Sequence, residues 1–107
     1  MAEQYKYTFT YTLGLVDDEG REYPFKTMSA WFNGEATGGP VFSVAHGIGT
    51  DTDTGESEEI MIVQGFTNDI DHAKYYCAYV ARTINQRAFG WFQSQASYVP
   101  VSELVKG

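Results

Sequence analysis

Residues 5 to 16 alternate between large apolar side chains and smaller, mostly polar ones. The apolar members are Tyr5, Tyr7, Phe9, Tyr11, Leu13 and Leu15, and threonine fills three of the alternate positions. Because successive side chains of a β-strand point to opposite faces, this period of two predicts a long first strand with one apolar and one threonine-rich face. The fold must therefore contain a sheet that buries one of its faces.

A helical period follows further along the chain. Apolar side chains between residues 69 and 89 recur at steps of three and four, which predicts one long helix (about 69–89) with a single buried face: Ile70, Ala73, Cys77, Val80, Ile84 and Ala88. Asn68 is the expected N-cap. Gly90 is the expected residue just beyond the helix, because glycine adopts the left-handed conformation at little cost.

Two strands are predicted before this helix, from Val41 to Gly49 and from Glu58 to Phe66. Both contain apolar runs, Val41 to Ala45 and Ile60 to Val63, that are typical of central strands rather than edge strands. The acidic segment 50–57 between them contains only small and polar residues. It therefore predicts a solvent-exposed connection in an antiparallel hairpin.

The remaining segments give weaker patterns. Residues 17–20 indicate a turn, and residues 21–25 a short edge hairpin limited by Pro24. A short helix is expected at about 27–33, with Thr27 as its cap. The last strand is expected at about 95–101, and residues 102–107 are expected to form a frayed tail.

This order of elements predicts an α+β fold. Strand, short helix, two strands, long helix and strand is the split β-α-β arrangement, so we expect a ferredoxin-like sandwich with its helices on one face of an antiparallel sheet. With 107 residues the chain has room for one domain, 1–107, with an ordered core at about 4–101. The uncovered sheet face favours a homodimer that forms through the sheet.

The chain carries a formal charge of −7, from 14 acidic and 7 basic residues. This charge disfavours direct binding to nucleic acid or to an anionic membrane. No apolar run reaches the roughly 18 residues that a membrane span needs. The single cysteine, Cys77, and an N-terminus without signal-peptide features favour the cytoplasm.

The acidic residues cluster near two turns. One cluster is Asp17, Asp18, Glu19 and Glu22, and the other is Asp51, Asp53, Glu56, Glu58 and Glu59. These clusters favour a partner protein with a basic surface, which aromatic residues such as Trp31, Trp91 or Tyr98 would anchor. Mimicry of a phosphate backbone and simple solubility are the alternatives.

Other candidate sites have weaker patterns. His46 beside Gly47 and Gly49 suggests a ligand cleft at a dimer seam, or a general base, although a half-buried structural histidine is favoured. The Asp51-x-Asp53-x-Gly55 segment departs from a calcium loop, because its glycine comes one position early and Ile62 stands where a glutamate is needed. No catalytic residue, metal site or cofactor is predicted.

Three short segments carry a resemblance: Tyr11 to Leu15, Phe42 to Gly49, and Ile84-Asn85-Gln86. Together they resemble a family of small uncharacterised α+β proteins from phage and bacterial genomes. The resemblance spans about residues 8–92 and implies a ferredoxin-like fold and a phage origin, with no catalytic residues.

The expected function is therefore that of a non-enzymatic accessory protein. It would bind and inhibit a host protein, such as a component of a defence system, in the host cytoplasm. The alternative is a dimeric module that binds a small molecule or nucleotide near His46.

Overall fold

The computed structural model describes residues 4–50 and 52–98, and these form an α+β fold. In chain order its elements are β1 (Tyr7–Gly14), α1 (Phe25–Ser29), α2 (Gly34–Thr37), β2 (Val41–Thr50), β3 (Ser57–Thr67), α3 (Ile70–Thr83) and β4 (Gly90–Gln95). The four strands form one antiparallel sheet in the order β2-β3-β1-β4. The predicted α+β class is confirmed, and α2 is a short addition to the predicted order.

Strand β1 lies inside the sheet between β3 and β4, with Gly14 opposite Ile60 and Tyr7 opposite Gln95. Phe9, Tyr11 and Leu13 point towards the helices and are fully buried, while Thr8, Thr10 and Thr12 lie on the other face. The two-faced first strand predicted from its alternation is confirmed. Its observed bounds, Tyr7–Gly14, are shorter than the alternating segment.

Tyr11 lies in the centre of the core. Its ring contacts the rings of Phe32 and Phe89 at centroid distances of 5.5 Å and 5.3 Å. Its hydroxyl donates to the carbonyl oxygen of Cys77 in α3 at 2.9 Å. This bond joins the central strand to the long helix, while the apolar face of α3 packs on the same side of the sheet. The core therefore lies between the helices and one face of the sheet.

Helix α3 ends at Thr83, six residues before the predicted end at Phe89. Asn85 has a left-handed conformation (φ 58°) and closes the helix. The N–H of Asn85 donates to the Arg82 carbonyl at 3.1 Å, and that of Gln86 donates to the Ala81 carbonyl at 2.9 Å. These two bonds form a Schellman motif, in which asparagine takes the place that was predicted for Gly90. The observed N-cap is Asp69, which accepts from His72 N–H, rather than Asn68.

The early end of α3 moves the last strand as well. Strand β4 runs from Gly90 to Gln95, whereas it was predicted at about 95–101. Trp91 faces the helices and stacks on Phe9 with a centroid distance of 5.2 Å, so β4 completes the core on this side. Residues 99–101 of the predicted strand, and the predicted tail 102–107, lie outside the described residues.

The first helical segment also differs from the prediction of one helix at 27–33. Helix α1 begins earlier, at Phe25, because the Pro24 carbonyl accepts from Met28 N–H at 3.0 Å. The chain then turns, and the Asn33 side chain caps α2 by accepting from Ala36 N–H at 2.9 Å. An asparagine at an N-cap starts a new helix in a new direction, so one predicted helix becomes two short ones.

Strand β2 was predicted to be central, but it lies at an edge of the sheet and pairs with β3 alone. Half of its ten side chains are exposed, including Phe42 and Ile48. Strand β3 is central, as predicted, with Met61 and Val63 fully buried. The hairpin prediction for these two strands is confirmed, with bounds of Val41–Thr50 and Ser57–Thr67.

Candidate interaction surfaces

The two acidic turns lie at the same end of the sheet. Leu15, just after β1, donates its N–H to the Glu59 carbonyl of β3 at 2.9 Å, so the turn that follows β1 lies beside the β2–β3 hairpin. We call this region the acidic end and define it by its exposed acidic residues: Asp18, Glu19, Glu22, Asp53, Glu56, Glu58 and Glu59. Asp51 belongs to the same hairpin by sequence but lies outside the described residues.

Asp17 does not belong to this surface, although it was predicted to bind the partner. Its carboxylate is buried and accepts from the N–H groups of Glu19 and Arg21, from the Arg21 guanidinium and from the Tyr23 hydroxyl, at 2.9 to 3.0 Å. Burial opposes its ionisation, but these bonds outweigh that effect and hold the pKa of Asp17 below its ordinary value. Asp17 therefore shapes the turn and is not available to a partner.

Two other acids of this turn are paired with arginines. Arg87 contacts the Asp18 carboxylate at 2.8 Å, and Arg21 contacts the Glu19 carboxylate at 2.9 Å. These pairs are exposed and contribute little to stability, but they compensate part of the negative charge. The negative potential of the acidic end is therefore strongest on the hairpin, around Glu56 and Glu58.

His46 lies on the helix side of β2, with its side chain about two-fifths exposed. Its ring stacks on Phe25 of α1 with a centroid distance of 4.9 Å, and its Nε2 lies 3.5 Å from a Glu59 carboxylate oxygen. Both contacts hold the imidazole against the protein surface. These neighbours are typical of a structural histidine at the sheet edge.

The two glycines beside His46 point to the opposite face of the sheet. Gly47 and Gly49 lie against the side chain of Ile60, which faces away from the helices. The geometry therefore does not bring His46, Gly47 and Gly49 together around one cleft. The ligand site predicted near His46 therefore has its histidine on one face and its glycines on the other, because consecutive strand residues point to opposite faces.

The predicted aromatic anchors differ in their surroundings. Trp31 and Trp91 are half-buried and pack against the core. Tyr98 is exposed, with its ring 5.6 Å from that of Phe66. Sequence reasoning missed two residues on the outer side of α3, Tyr75 and Tyr79, whose side chains are 74% and 60% exposed. Their spacing of four residues, on the helix face that also carries Asp71 and Arg82, was the signal that could have located them.

The sheet face that points away from the helices is uncovered, and we call it the open face. Its side chains come from alternate positions of all four strands: Thr8, Thr10, Thr12, Gly14, Phe42, Ser43, Ala45, Gly47, Gly49, Ile60, Ile62, Gln64, Phe66, Gly90, Phe92 and Ser94. None of these residues is charged, but Glu58, opposite Gly49 at one end of the same face, is. Phe92 is 67% exposed and Phe42 is 54% exposed. Exposed aromatic side chains on an uncovered sheet face mark a site where another surface can bind.

Cys77 is fully buried beneath the sheet. Burial raises the pKa of its thiol from an ordinary value of 9.0 to about 12. Because the thiolate is the reactive form, this cysteine is chemically inert near neutral pH. The buried position of Cys77 indicates a role in core packing rather than in thiol chemistry.

Replacing Cys77 with alanine is expected to reduce the loss of stability at alkaline pH. Between pH 9 and 12 the unfolded thiol is ionised while the folded thiol keeps its proton. The stabilisation is fully present below pH 9 and is lost at up to about 1.4 kcal/mol per pH unit as the pH rises to 12. Urea titrations at about pH 8 and about pH 10 should show that the wild type loses roughly 1 kcal/mol more than Cys77→Ala. Equal losses would contradict the assignment.

The described parts of the chain contain no group of three or more histidine, cysteine, aspartate or glutamate side chains arranged to hold a metal ion. Within the same residues, no helix has the length and apolar character that crossing a membrane requires.

No family model, curated protein or solved structure matches the chain in the comparisons. What the acidic end and the open face can bind therefore follows from their own chemistry.

Proposed function

We propose that this chain is a non-enzymatic protein-interaction module whose acidic end binds a basic surface of a partner protein. The observation that carries the proposal is that the turn after β1 and the β2–β3 hairpin lie side by side, held by the bond from Leu15 N–H to the Glu59 carbonyl. Two acidic turns at one end produce a single negative surface, which two separated turns would not.

The acidic end has neighbours that suit a protein interface. A shallow groove beside it is lined by Asp18, Glu19, Arg82 and Arg87, among others. Tyr79 is exposed on the same helix as Arg82 and lies one turn before it. Tyrosine and arginine are enriched among the residues that contribute most to binding energy, while exposed acids accelerate association and select basic partners. This surface therefore offers acidic residues that can attract a basic partner and an exposed tyrosine that can anchor it.

The proposal includes a biological setting, which rests on the family resemblance of the sequence. The chain would be a phage-encoded accessory protein that occupies and inhibits a host protein in the host cytoplasm, such as a component of a defence system. It also includes a ferredoxin-like sandwich, which is supported by the strand order β2-β3-β1-β4 and by antiparallel pairing throughout.

Reversing two charges on the hairpin should weaken partner binding. The immobilised chain would be exposed to bacterial lysate, and a retained protein would be identified by mass spectrometry and purified. The variant Asp53→Lys, Glu56→Lys is expected to bind that protein at least about tenfold more weakly in calorimetry, because both substitutions place positive charge opposite a basic surface. Added salt should weaken wild-type binding too, since exposed charges are screened.

A matched control changes the charge equally at the other end of the molecule. Glu35 in α2 and Asp71 in the first turn of α3 are exposed and lie far from the hairpin along the sheet. The variant Glu35→Lys, Asp71→Lys should bind the partner as the wild type does. Equal weakening by both variants would mean that the net charge of the chain, and not the acidic end, controls binding. Unchanged binding by the hairpin variant would rule out the acidic end as the binding surface.

A further inference from the structure

The two ends of the open face differ in the size of the side chains that project from the sheet. At one end the rings of Phe42, Phe66 and Tyr98 form a raised cluster, with successive centroid distances of 4.9 Å and 5.6 Å. We call this the aromatic end. At the opposite end Gly14, Gly47 and Gly49 carry no side chain, and the Ile60 side chain lies against the last two. We call this the glycine end. The face therefore carries large aromatic rings at one end and mainly small residues at the other, separated along the strands.

The charges beside the open face are separated in the same way. Lys6 immediately precedes β1 at the aromatic end, in a bend where its carbonyl accepts from Ala96 N–H at 2.9 Å. Glu58 lies at the glycine end, with its carboxylate next to Gly14. Between these two residues the described face is uncharged, although a fifth of the chain's residues are charged. One end is thus bordered by a positive charge and the other by a negative charge.

We propose that the open face is the interface between two copies of this chain, packed face to face with their strands antiparallel. The two copies are related by a two-fold axis that lies in the plane of the interface, perpendicular to the strands. The strands of the second copy therefore run in the opposite direction to those of the first. The aromatic end of each copy then packs over the glycine end of the other. The same rotation brings Lys6 of each copy towards Glu58 of its partner copy. A two-fold interface must be self-complementary, and here one operation satisfies both shape and charge.

The size of the face agrees with this occupant. Four strands spaced about 4.8 Å apart and eight residues long at about 3.4 Å each cover roughly 500 Å² in projection. Side chains that project from the sheet, chiefly Phe42 and Phe92, raise the accessible area above this value. The area therefore approaches the roughly 800 Å² that each partner contributes to a standard interface. A second copy can therefore cover the face without help from the helices. The open face shares Glu58 with the acidic end, but the dimer needs no partner protein and so does not depend on the proposed function.

A lysine on the open face tests the interface. Sedimentation equilibrium of the purified chain should give twice the single-chain mass of 12.0 kDa. Phe92→Lys should raise the dimer Kd at least about 100-fold, because an unpaired charge would be buried in each copy. Tyr79→Lys makes a similar change on the outer side of α3 and should leave the dimer intact. A wild type that stays monomeric up to about 100 µM, or equal effects of the two variants, would overturn the proposal.

A charge exchange tests the antiparallel arrangement. Lys6→Glu alone should raise the dimer Kd about three- to tenfold, since it places two acids together at each rim. Glu58→Lys alone should have the same effect, because it places two lysines together there. The double variant should recover the wild-type Kd, because the exchanged charges would again be opposite in sign across the two copies. A double variant that adds the two losses instead would overturn this orientation. Near-UV circular dichroism of each variant and of the wild type, all measured below the wild-type dimer Kd, should agree and so exclude unfolding as the cause.

Discussion

Gly39→Ala is expected to destabilise the protein by at least about 3 kcal/mol, and to lower its Tm by about 12 °C or more. Gly39 lies where the chain passes from α2 to β2, directly against the end of β3. A Cβ at this position would lie 2.1 Å from the Phe66 carbonyl oxygen and 3.0 Å from the Thr67 Cα. Both neighbours are backbone atoms, so no side-chain rotation can make room.

The backbone here is also held by a hydrogen bond. Phe66 N–H donates to the Pro40 carbonyl at 2.9 Å, so the two segments cannot separate without losing this contact. The control is Gly47→Ala, whose Cβ would meet only Ile60 and Ile62 side-chain atoms at an ordinary 3.7 Å. Because Gly47 belongs to the glycine end of the open face, both variants are made in the monomeric Phe92→Lys background, where thermal unfolding should show this control within about 0.5 kcal/mol of its parent. Equal Tm values for the two variants would mean that Gly39 and Phe66 do not approach so closely.

Tyr11→Ala should cost about 3–5 kcal/mol of unfolding free energy. The ring is fully buried between Phe32, Phe89 and the helix layer, so its removal leaves a large cavity in a core that cannot collapse onto it. Loss of the hydroxyl bond to the Cys77 carbonyl adds to the cavity term. Urea unfolding of the purified variant measures the sum.

Tyr11→Phe separates the two contributions, because it keeps the ring and removes only the hydroxyl. It should cost about 1 kcal/mol, the usual net value of one hydrogen bond. Tyr79→Ala is the matched surface control, with its ring 60% exposed, and should change stability by less than about 0.5 kcal/mol. A loss in Tyr11→Phe as large as that in Tyr11→Ala would place the main contribution in the bond and not in the packing.

The elements that sequence reasoning located well are those with a strong period. The alternation from Tyr7 to Gly14 identified β1 and its buried face, because one face of that strand is wholly in the core. The hairpin of β2 and β3 was clear from two apolar runs around a polar turn. Local pattern decides these elements, so they can be read without knowledge of the rest of the chain.

The end of α3 could not be obtained from periodicity alone. Ile84 continues the apolar spacing, and the step from it to Ala88 suggested a further turn of helix. Asn85 overrides that spacing by taking the left-handed conformation, which asparagine tolerates better than most residues. The Gln86 side chain then donates to the Gly14 and Val16 carbonyls at 2.9 Å and 2.8 Å, so the segment is held by the end of β1. These are tertiary contacts that a local pattern does not contain.

For the candidate sites too, local sequence pattern was informative, while features that depend on tertiary structure could not be predicted. The sequence located both acidic clusters, but only the strand register brings them to one end of the sheet. Asp17 resembled its exposed neighbours in sequence, although four donors around its carboxylate remove it from the surface. The edge position of β2 was missed because its apolar run resembles that of a buried strand. Strand order is a property of the whole chain.

The central position of β1 has a consequence for how the chain assembles. Thr50 pairs with Ser57 across a short turn, so the β2–β3 hairpin can close from local contacts. Strand β1 precedes β3 and β4 in the chain, so it cannot pair with them until Ile60 lies opposite Gly14 and Gln95 lies opposite Tyr7. Closing such long loops is slow, and the apolar face of β1 stays unprotected until then. During translation, the segment at greatest risk of aggregation is therefore the strand that ends up best protected in the folded protein.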